Sequence, residues 1–284
     1  MNAHIISKKI IKDLRLPKPA SHKRNNGCLL IIAGSKKYFG ALLYCLKTAS
    51  RLVDLVYVLT TKDNQKLIEK LKSKTAEFMP VHSPINGHAT TKQRSAPIHR
   101  LMDDIDCILI GPGLGISPRT KNLVRQVLKS GKKAVLDADA LNVLDQKQKK
   151  LLSPLHILTP HHREFQRLFK IPANAKNAGA MAKKYQCYIV LKGPTDVIAL
   201  PSGKIFLNKT GNAGMTKGGT GDVLAGLIAG VYATNDALIA TSAGTYVNGA
   251  AGDELYKKVG TFYDAEDLMN QIPITMHKIL KSLI

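Results

Sequence analysis

The feature that most constrains this chain is a set of apolar runs without polar interruption. CLLIIA (residues 28–33), CILI (107–110) and YIVL (188–191) show no alternation with polar residues. A strand with one face in water alternates; one covered on both faces does not, and parallel sheets flanked by helices are built from such strands. Strands are expected at residues 28–33, 55–60, 107–110, 134–137, 156–158, 187–191 and 197–200. Helices are expected at 41–52, 64–73, 118–130, 164–169 and 175–184, with a long glycine-containing one from Asp222. Strand followed by helix, repeated, implies right-handed crossovers and a doubly wound α/β architecture: a mostly parallel central sheet with helices on both faces.

Residues 1–284 contain no composition break and no linker, so a single domain is expected, with 44% apolar residues to fill its core. The polar stretch 82–97 reads as a surface excursion. The first residues read as a short amphipathic helix ending near Pro17, with Ile5, Ile6, Ile10, Ile11 and Leu14 on one face. They lack the apolar segment of a secretory signal, and no run approaches the ~18 apolar residues of a membrane span. Cys28, Cys45, Cys107 and Cys187 form no CxxC pair and read as reduced, buried thiols. These features point to a cytoplasmic protein with no membrane partner. The net charge of +22 raises nucleic-acid binding, but the lysines are dispersed and tryptophan is absent. A solvated basic surface that attracts anionic ligands is the better reading, with no nucleic-acid partner.

In parallel sheets ligands sit at the carboxyl ends of the strands, where the unusual motifs of this chain fall. The densest is NKTGNAGMTKGGTGDVLAGLIAG, residues 208–230. Glycines 211, 214, 218, 219 and 221 let backbone amides converge on an anion, and the following helix adds its positive end. The Gly-Lys-Ser/Thr ending of a P-loop is missing. Asp222, where the loop meets the helix, is placed to take a proton from a hydroxyl attacking phosphorus. Its plainer role is to cap the helix. The helix end favours its ionised form and a bound polyphosphate opposes it; the sequence leaves that balance open. Ala225, Gly226, Ala229 and Gly230 would let the helix pack closely on the sheet.

Five other segments follow strands. GSKKYFGA (34–41) is either an ordinary corner or a place where Ala41 lets a ligand approach. GPGLG (111–115), with Gly113 and Gly115, offers bare backbone. LDADALN (136–142) offers two carboxylates and an amide, for a metal, a hydroxyl or the next helix's cap. In LTPHHREF (158–165), His161 can reach a phosphate or hydroxyl, and Glu164 can hold a hydrated metal or orient the histidine. VLKGPTDVI (190–198) reads as a hairpin turn whose Lys192 is either solvated or a phosphate partner.

Taken together, these segments resemble the signatures of the ADP/ATP-dependent NAD(P)H-hydrate dehydratases, a ribokinase-like family. The resemblance runs from about Gly34 to Gly230. It implies a ribokinase-like fold and a hydro-lyase that restores NAD(P)H from the S-epimer of its hydrate, turning ADP (or ATP) into AMP (or ADP) and phosphate. It implies that Asp222 is the base and that Gly218, Gly219, Thr220 and Gly221 form the anion hole. Substrate would lie on Ala41, Gly113, Gly115, His161 and Asp222, and nucleotide on Lys192, Gly193, Pro194, Thr195, Asp196 and Gly221. Mg²⁺ is implied, its ligands unassigned, as is a homo-oligomer, with a tetramer as one arrangement. The chain has no room for the epimerase domain fused to some members, so a separate NAD(P)H-hydrate epimerase is the expected functional link. His162-Arg163 and Lys209 depart from the family pattern. A small-molecule hydroxyl kinase would use the same loop and base, and a non-catalytic binding module is the third reading.

Overall fold

In the computed structural model, residues 3–61, 64, 68, 70, 77–81 and 102–283 are described. The expected loop at 82–97 and most of the expected helix at 64–73 lie outside them. The strands are β1 (His4–Ile5), β2 (Cys28–Ile32), β3 (Leu55–Leu59), β4 (Met79–Pro80), β5 (Cys107–Ile110), β6 (Lys133–Leu136), β7 (His156–Leu158), β8 (Tyr188–Leu191), β9 (Asp196–Ala199) and β10 (Ile205–Asn208). They form one sheet in the order β1-β10-β9-β8-β7-β6-β5-β2-β3-β4. Every pairing is parallel except the two made by β9. The seven expected strands are all present. The three additional ones, β1, β4 and β10, lie at or near the sheet edges, where two or four residues give too little periodicity to read.

The helices are α1 (Phe39–Ala49), α2 (Pro118–Lys129), α3 (Asp139–Asn142), α4 (Gln146–Lys149), α5 (His162–Phe169), α6 (Ala175–Tyr185), α7 (Thr220–Thr234), α8 (Ala237–Val259) and α9 (Ala265–Lys281). Alternate strand residues divide between two cores. Leu29, Ile31, Cys107, Leu109 and Val135 pack with α1, α7, α8 and α9. Leu30, Ile32, Ile108, Ile110 and Leu136 pack with α2, α3, α5 and α6. Both sheet faces are therefore covered, which is why the central strands tolerate no polar position. All four cysteines are buried and unpaired. Among the described residues no helix is long and apolar enough to cross a membrane.

The amino terminus corrects an expectation. Instead of an α-helix, His4–Ile5 adds a strand beside β10 and Lys8–Asp13 forms a 3₁₀ helix. Ile6, Ile11 and Leu14 are buried, but Ile5 is 61% exposed, because an extended segment sends neighbouring side chains to opposite sides.

Helix α7 carries the glycine-rich loop at its start, and 12 of its 15 residues are buried. Its small residues serve a different neighbour from the one expected. A Cβ on Gly226 would stand 2.7 Å from the Cys45 carbonyl oxygen, and one on Gly230 2.8 Å from Leu52 Cδ1. The close approach is thus to α1 and the turn after it, not to the sheet. In α9, Pro273 has no N–H to offer the carbonyl of Met269 one turn earlier; Arg51 donates to that carbonyl and to Asn270 Oδ1.

Alanine in place of glycine favours a helix by about 1 kcal/mol, whereas overpacking costs about 1–3 kcal/mol. At Gly226 the obstacle is backbone, which cannot swing away. Gly226→Ala is therefore expected to lower the urea midpoint, and Gly230→Ala, whose first obstacle is a side-chain tip, to lower it less.

Candidate active site

The sheet order reverses at β2, whose neighbours are β3 on one side and β5 on the other. Connections leaving these strands part in opposite directions and open a crevice at their carboxyl ends. Segments 34–41 and 111–115 meet there. The Gly34 amide donates to the Pro112 carbonyl at 2.8 Å. Gly113, at φ +64°, lies so close that a Cβ would be 2.4 Å from the Tyr38 carbonyl oxygen and 3.2 Å from Ala41 Cβ. Gly115, at φ +82°, faces open space on its Cβ side, and its amide donates to Asp139 Oδ2 at 2.7 Å. Ala41, Gly113 and Gly115 are thus brought to one place.

Farther along the same edge, Asp137 follows β6, Thr159 follows β7 and Lys192 follows β8. Asp137 is buried and accepts hydrogen bonds from Thr159 Oγ1 at 2.8 Å and Lys192 Nζ at 2.9 Å. Lys192 is therefore neither solvated nor an unpartnered phosphate ligand. Burial opposes its charge, but Asp137 and Glu164 outweigh that and raise its pKa. Its ammonium also lies 3.5 Å from where a Cβ on Gly221 would sit, so it joins the carboxylate to the glycine loop.

His161 is the N-cap of α5. Its Nδ1 accepts from the amides of Arg163 and Glu164, and Glu164 Oε2 accepts from the His161 amide at 2.9 Å. With Nδ1 accepting, the ring proton resides on Nε2. Glu164 thus orients the histidine. His162 packs at the next turn, its Nε2 3.0 Å from the position of a Cβ on Gly193.

The glycine-rich loop is held from several sides. Asp253 accepts from the amide of Gly211 and from Asn212 Nδ2; Asn212 Oδ1 accepts from the Gly214 amide and the Tyr263 hydroxyl. Lys217 donates to the carbonyls of Thr261 and Tyr263. Gly219 adopts φ +95°, and a Cβ there would stand 2.6 Å from the Tyr44 ring and 2.9 Å from Ala265 Cβ. Both the left-handed conformation and the fit require glycine. The first main-chain bond of α7 runs from Val223 N–H to the Gly219 carbonyl, leaving the amides of Gly221 and Asp222 ahead of the ladder. A Cβ on Gly218 would meet nothing within 4 Å, so the backbone there is open as well. Thr220 also lines the cavity next to this loop, and its hydroxyl donates to the carbonyls of Met215 and Lys217, bracing the loop from inside.

Asp222 is not the cap of α7. The helix starts at Thr220, the N-cap is Gly219, and no side-chain cap bond is present. The Asp222 carboxyl makes no hydrogen bond or ion pair with a described residue. Burial first, then the charge of Asp137, then Glu164 and Asp139, raise its pKa to about 7 against the pull of Lys192. Burial, more than either influence weighed from the sequence, decides its state.

On the other side of Gly221 and Lys192 lies a cavity of about 540 Å³ between the β8–β9 turn, the 210–216 segment and the helices α7 and α8. His161, Lys192, Gly193, Pro194, Asp196 and Gly221 line it; Thr195 does not. Asp196 accepts from the Gly193 amide and from Asn208 Nδ2, bracing the hairpin turn. The sequence reading missed the α8 wall, which supplies Asn248 and Gly249 to the cavity and Asp253 to the loop. Polar residues within a buried, small-residue helix were the available signal. Among the described residues no group of three or more His, Cys, Asp or Glu has metal-binding geometry.

Because the Asp222 carboxyl titrates near 7 in the folded protein and near 3.8 when unfolded, the native state holds the extra proton between those values. Its stability must fall as pH rises through that window. Asp222→Asn should therefore raise Tm by a few degrees at pH 8 and leave it nearly unchanged at pH 4, as scanning calorimetry would show.

The chain was compared with known proteins. The NAD(P)H-hydrate dehydratase family model matches residues 29–274. A bifunctional NAD(P)H-hydrate repair enzyme, Nnr, of Methanocaldococcus jannaschii is 38% identical over 264 residues, 93% of this chain and 50% of that protein. The chain thus spans about half the length of the bifunctional relatives it matches. The ADP-dependent (S)-NAD(P)H-hydrate dehydratase of Nitrosopumilus maritimus is 33% identical over 269 residues, 91% of each chain. The structure of an ADP/ATP-dependent NAD(P)H-hydrate dehydratase from Bacillus subtilis, co-crystallised with ATP and Mg²⁺, superposes with a TM-score of 0.80 at 28% identity, covering 98% of this chain and 99% of that one. Ribokinase of Thermotoga maritima shares the fold, with a TM-score of 0.56 at 9% identity, covering 87% and 99%. On its match to the family model, on these relatives and on the strand-end site assembled above, the chain belongs to the NAD(P)H-hydrate dehydratase family.

Proposed function

We propose that this protein is an ADP-dependent hydro-lyase acting on the S-epimer of NADH or NADPH hydrate. The observation that carries the reading is the position of Asp222. Its carboxyl is unpartnered and poised near neutrality, next to Gly221, which lines the 540 Å³ cavity. Nucleotide enters the cavity against the Lys192–Asp196 turn, with its terminal phosphate at Gly218, Gly221 and Lys192. The hydrated nicotinamide lies in the crevice against Ala41, Gly113 and Gly115, its C6 hydroxyl toward Asp222, with His161 on the phosphate side.

Asp222 takes the hydroxyl proton as the C6 oxygen bonds to the β-phosphorus of ADP. The bond from that phosphorus to the bridging oxygen breaks, and AMP leaves. The loop amides and Lys192 meet the negative charge on the transferred group. The ring nitrogen's electron pair then expels phosphate from C6, and loss of a proton from the adjacent carbon restores the dihydropyridine. Phosphorylation thus converts hydroxide, a poor leaving group, into phosphate.

Mg²⁺ fits a site with few protein ligands, since it favours one or two carboxylates together with water and phosphate oxygens. Asp137 has only Oδ1 engaged, by Lys192 and Thr159, and Glu164 only Oε2, by the His161 amide, so these two carboxylates are the residues that would hold it. When bound, the ion would offset charge on the phosphates. A homo-oligomer accompanies this reading, supported by the exposed apolar side chains of Tyr256, Val259 and Phe262. A separate epimerase would supply the S-epimer.

Hydrated NADH, ADP and Mg²⁺ should yield NADH absorbance and inorganic phosphate. Accumulation of a stable phosphate ester would identify a kinase instead. Asp222→Asn should lower the rate by about 10²–10⁴-fold, the usual range for a general base. In the wild type, kcat/KM should rise with pH to a plateau, with an apparent pKa near 7 for the free enzyme. Asp137→Asn removes the largest charge opposing ionisation of Asp222, so that limb should move to lower pH.

A further inference from the structure

The turn after β6 holds its backbone in a costly conformation. Ala138 has φ +48° and ψ −115°, a region that turns normally give to glycine. Lys170 and Gln186, also at positive φ, are ordinary left-handed helix ends; Ala138 lies outside that region. The turn also presses on its neighbour, since a Cβ on Gly111 would stand 1.9 Å from the Asp137 carbonyl oxygen and 2.7 Å from Ala140 Cβ. Such strain persists where the surroundings enforce it, and it gathers at functional sites. Its effect here is to send two carboxylates, two positions apart, to different partners. Asp137 takes Thr159 and Lys192, while Asp139 Oδ2 takes the Gly115 amide at 2.7 Å.

Asp139 is in turn held by Asn142, whose Nδ2 donates to Oδ1 at 3.3 Å and whose own Oδ1 accepts from Arg167 on α5. The Gly115 carbonyl accepts from the hydroxyl of buried Thr120 at 2.7 Å. Both main-chain groups of one glycine are thus fixed by side chains, yet a Cβ there would meet nothing within 4 Å. Fixed, bare backbone facing open space is suited to seat a ring that a side chain would hold away.

We propose that Asp139 is a positioning residue for the hydrated nicotinamide and acts through the main chain of Gly115. The inference rests on the assignment of the crevice to the hydrate. The described residues that line the 540 Å³ cavity include neither Asp139 nor any of 111–115, so the nucleotide should not feel this contact. Steady-state kinetics with NADH hydrate, ADP and Mg²⁺ test it. Asp139→Ala deletes the acceptor and should raise KM for the hydrate about tenfold, the effect of one lost hydrogen bond to a charged group, with KM for ADP within about twofold of wild type. Asp139→Asn keeps an oxygen for the Gly115 amide and should recover most of that loss. If the alanine variant does not fold, Asp139→Glu, which keeps the carboxylate but adds a methylene, should raise the same KM severalfold and leave that for ADP alone. An unchanged hydrate KM, or KM values for both substrates rising together, would overturn the role of Asp139 while leaving the crevice assignment standing. So would equal losses in Asp139→Asn and Asp139→Ala. A wild-type protein that forms no NADH from the hydrate would instead overturn the proposed reaction, and the inference with it.

Discussion

The ion pair between Asp137 and Lys192 organises this molecule's chemistry. The two residues leave the carboxyl ends of β6 and β8, and Thr159, from the strand between them, completes the contact. A lysine in so enclosed a place keeps its charge only because a carboxylate stands beside it. The pair in turn places an ammonium next to Gly221 and a negative charge near Asp222. The same contact thus sets positive charge beside the glycine loop while its carboxylate opposes ionisation of Asp222. Burial and the charges of Asp137, Glu164 and Asp139, set against Lys192, raise the pKa of Asp222 to about 7.

Much of this was legible in the sequence because its causes are local or periodic. Unbroken runs such as CILI could only be strands covered twice, and the two separate cores confirm why. The glycines of the 208–230 segment announced a tight backbone turn into a helix, and Gly219 at φ +95° is the N-cap of α7. Ala41, Gly113 and Gly115 were read as separate corners, but the reversal of strand order at β2 makes them one crevice.

What escaped the sequence depended on partners distant along the chain. The solvated alternative for Lys192 gave way to a carboxylate 55 positions earlier. Thr220 lay within a functional signature, yet its hydroxyl turned inward to brace the loop. The capping alternative for Asp222 fell away once the helix was seen to start two residues before it. The α8 wall offered only polar residues within a small-residue helix; Asp253 acquires its role from the loop packed opposite it.

The way the glycine-rich loop is moored has a consequence for how this chain can change. Lys217 and Gly214 tie the loop to the junction of α8 and α9, through the carbonyls of Thr261 and Tyr263 and the face of the Tyr263 ring. Ala265, at the start of α9, closes the space behind Gly219. A segment that carries no recognisable signature therefore shares the fate of the glycine-rich loop. Lengthening or shortening the turn before Asp264 would slacken the mooring without touching a reacting group, so tolerance to insertion there should be as narrow as in the glycine loop itself.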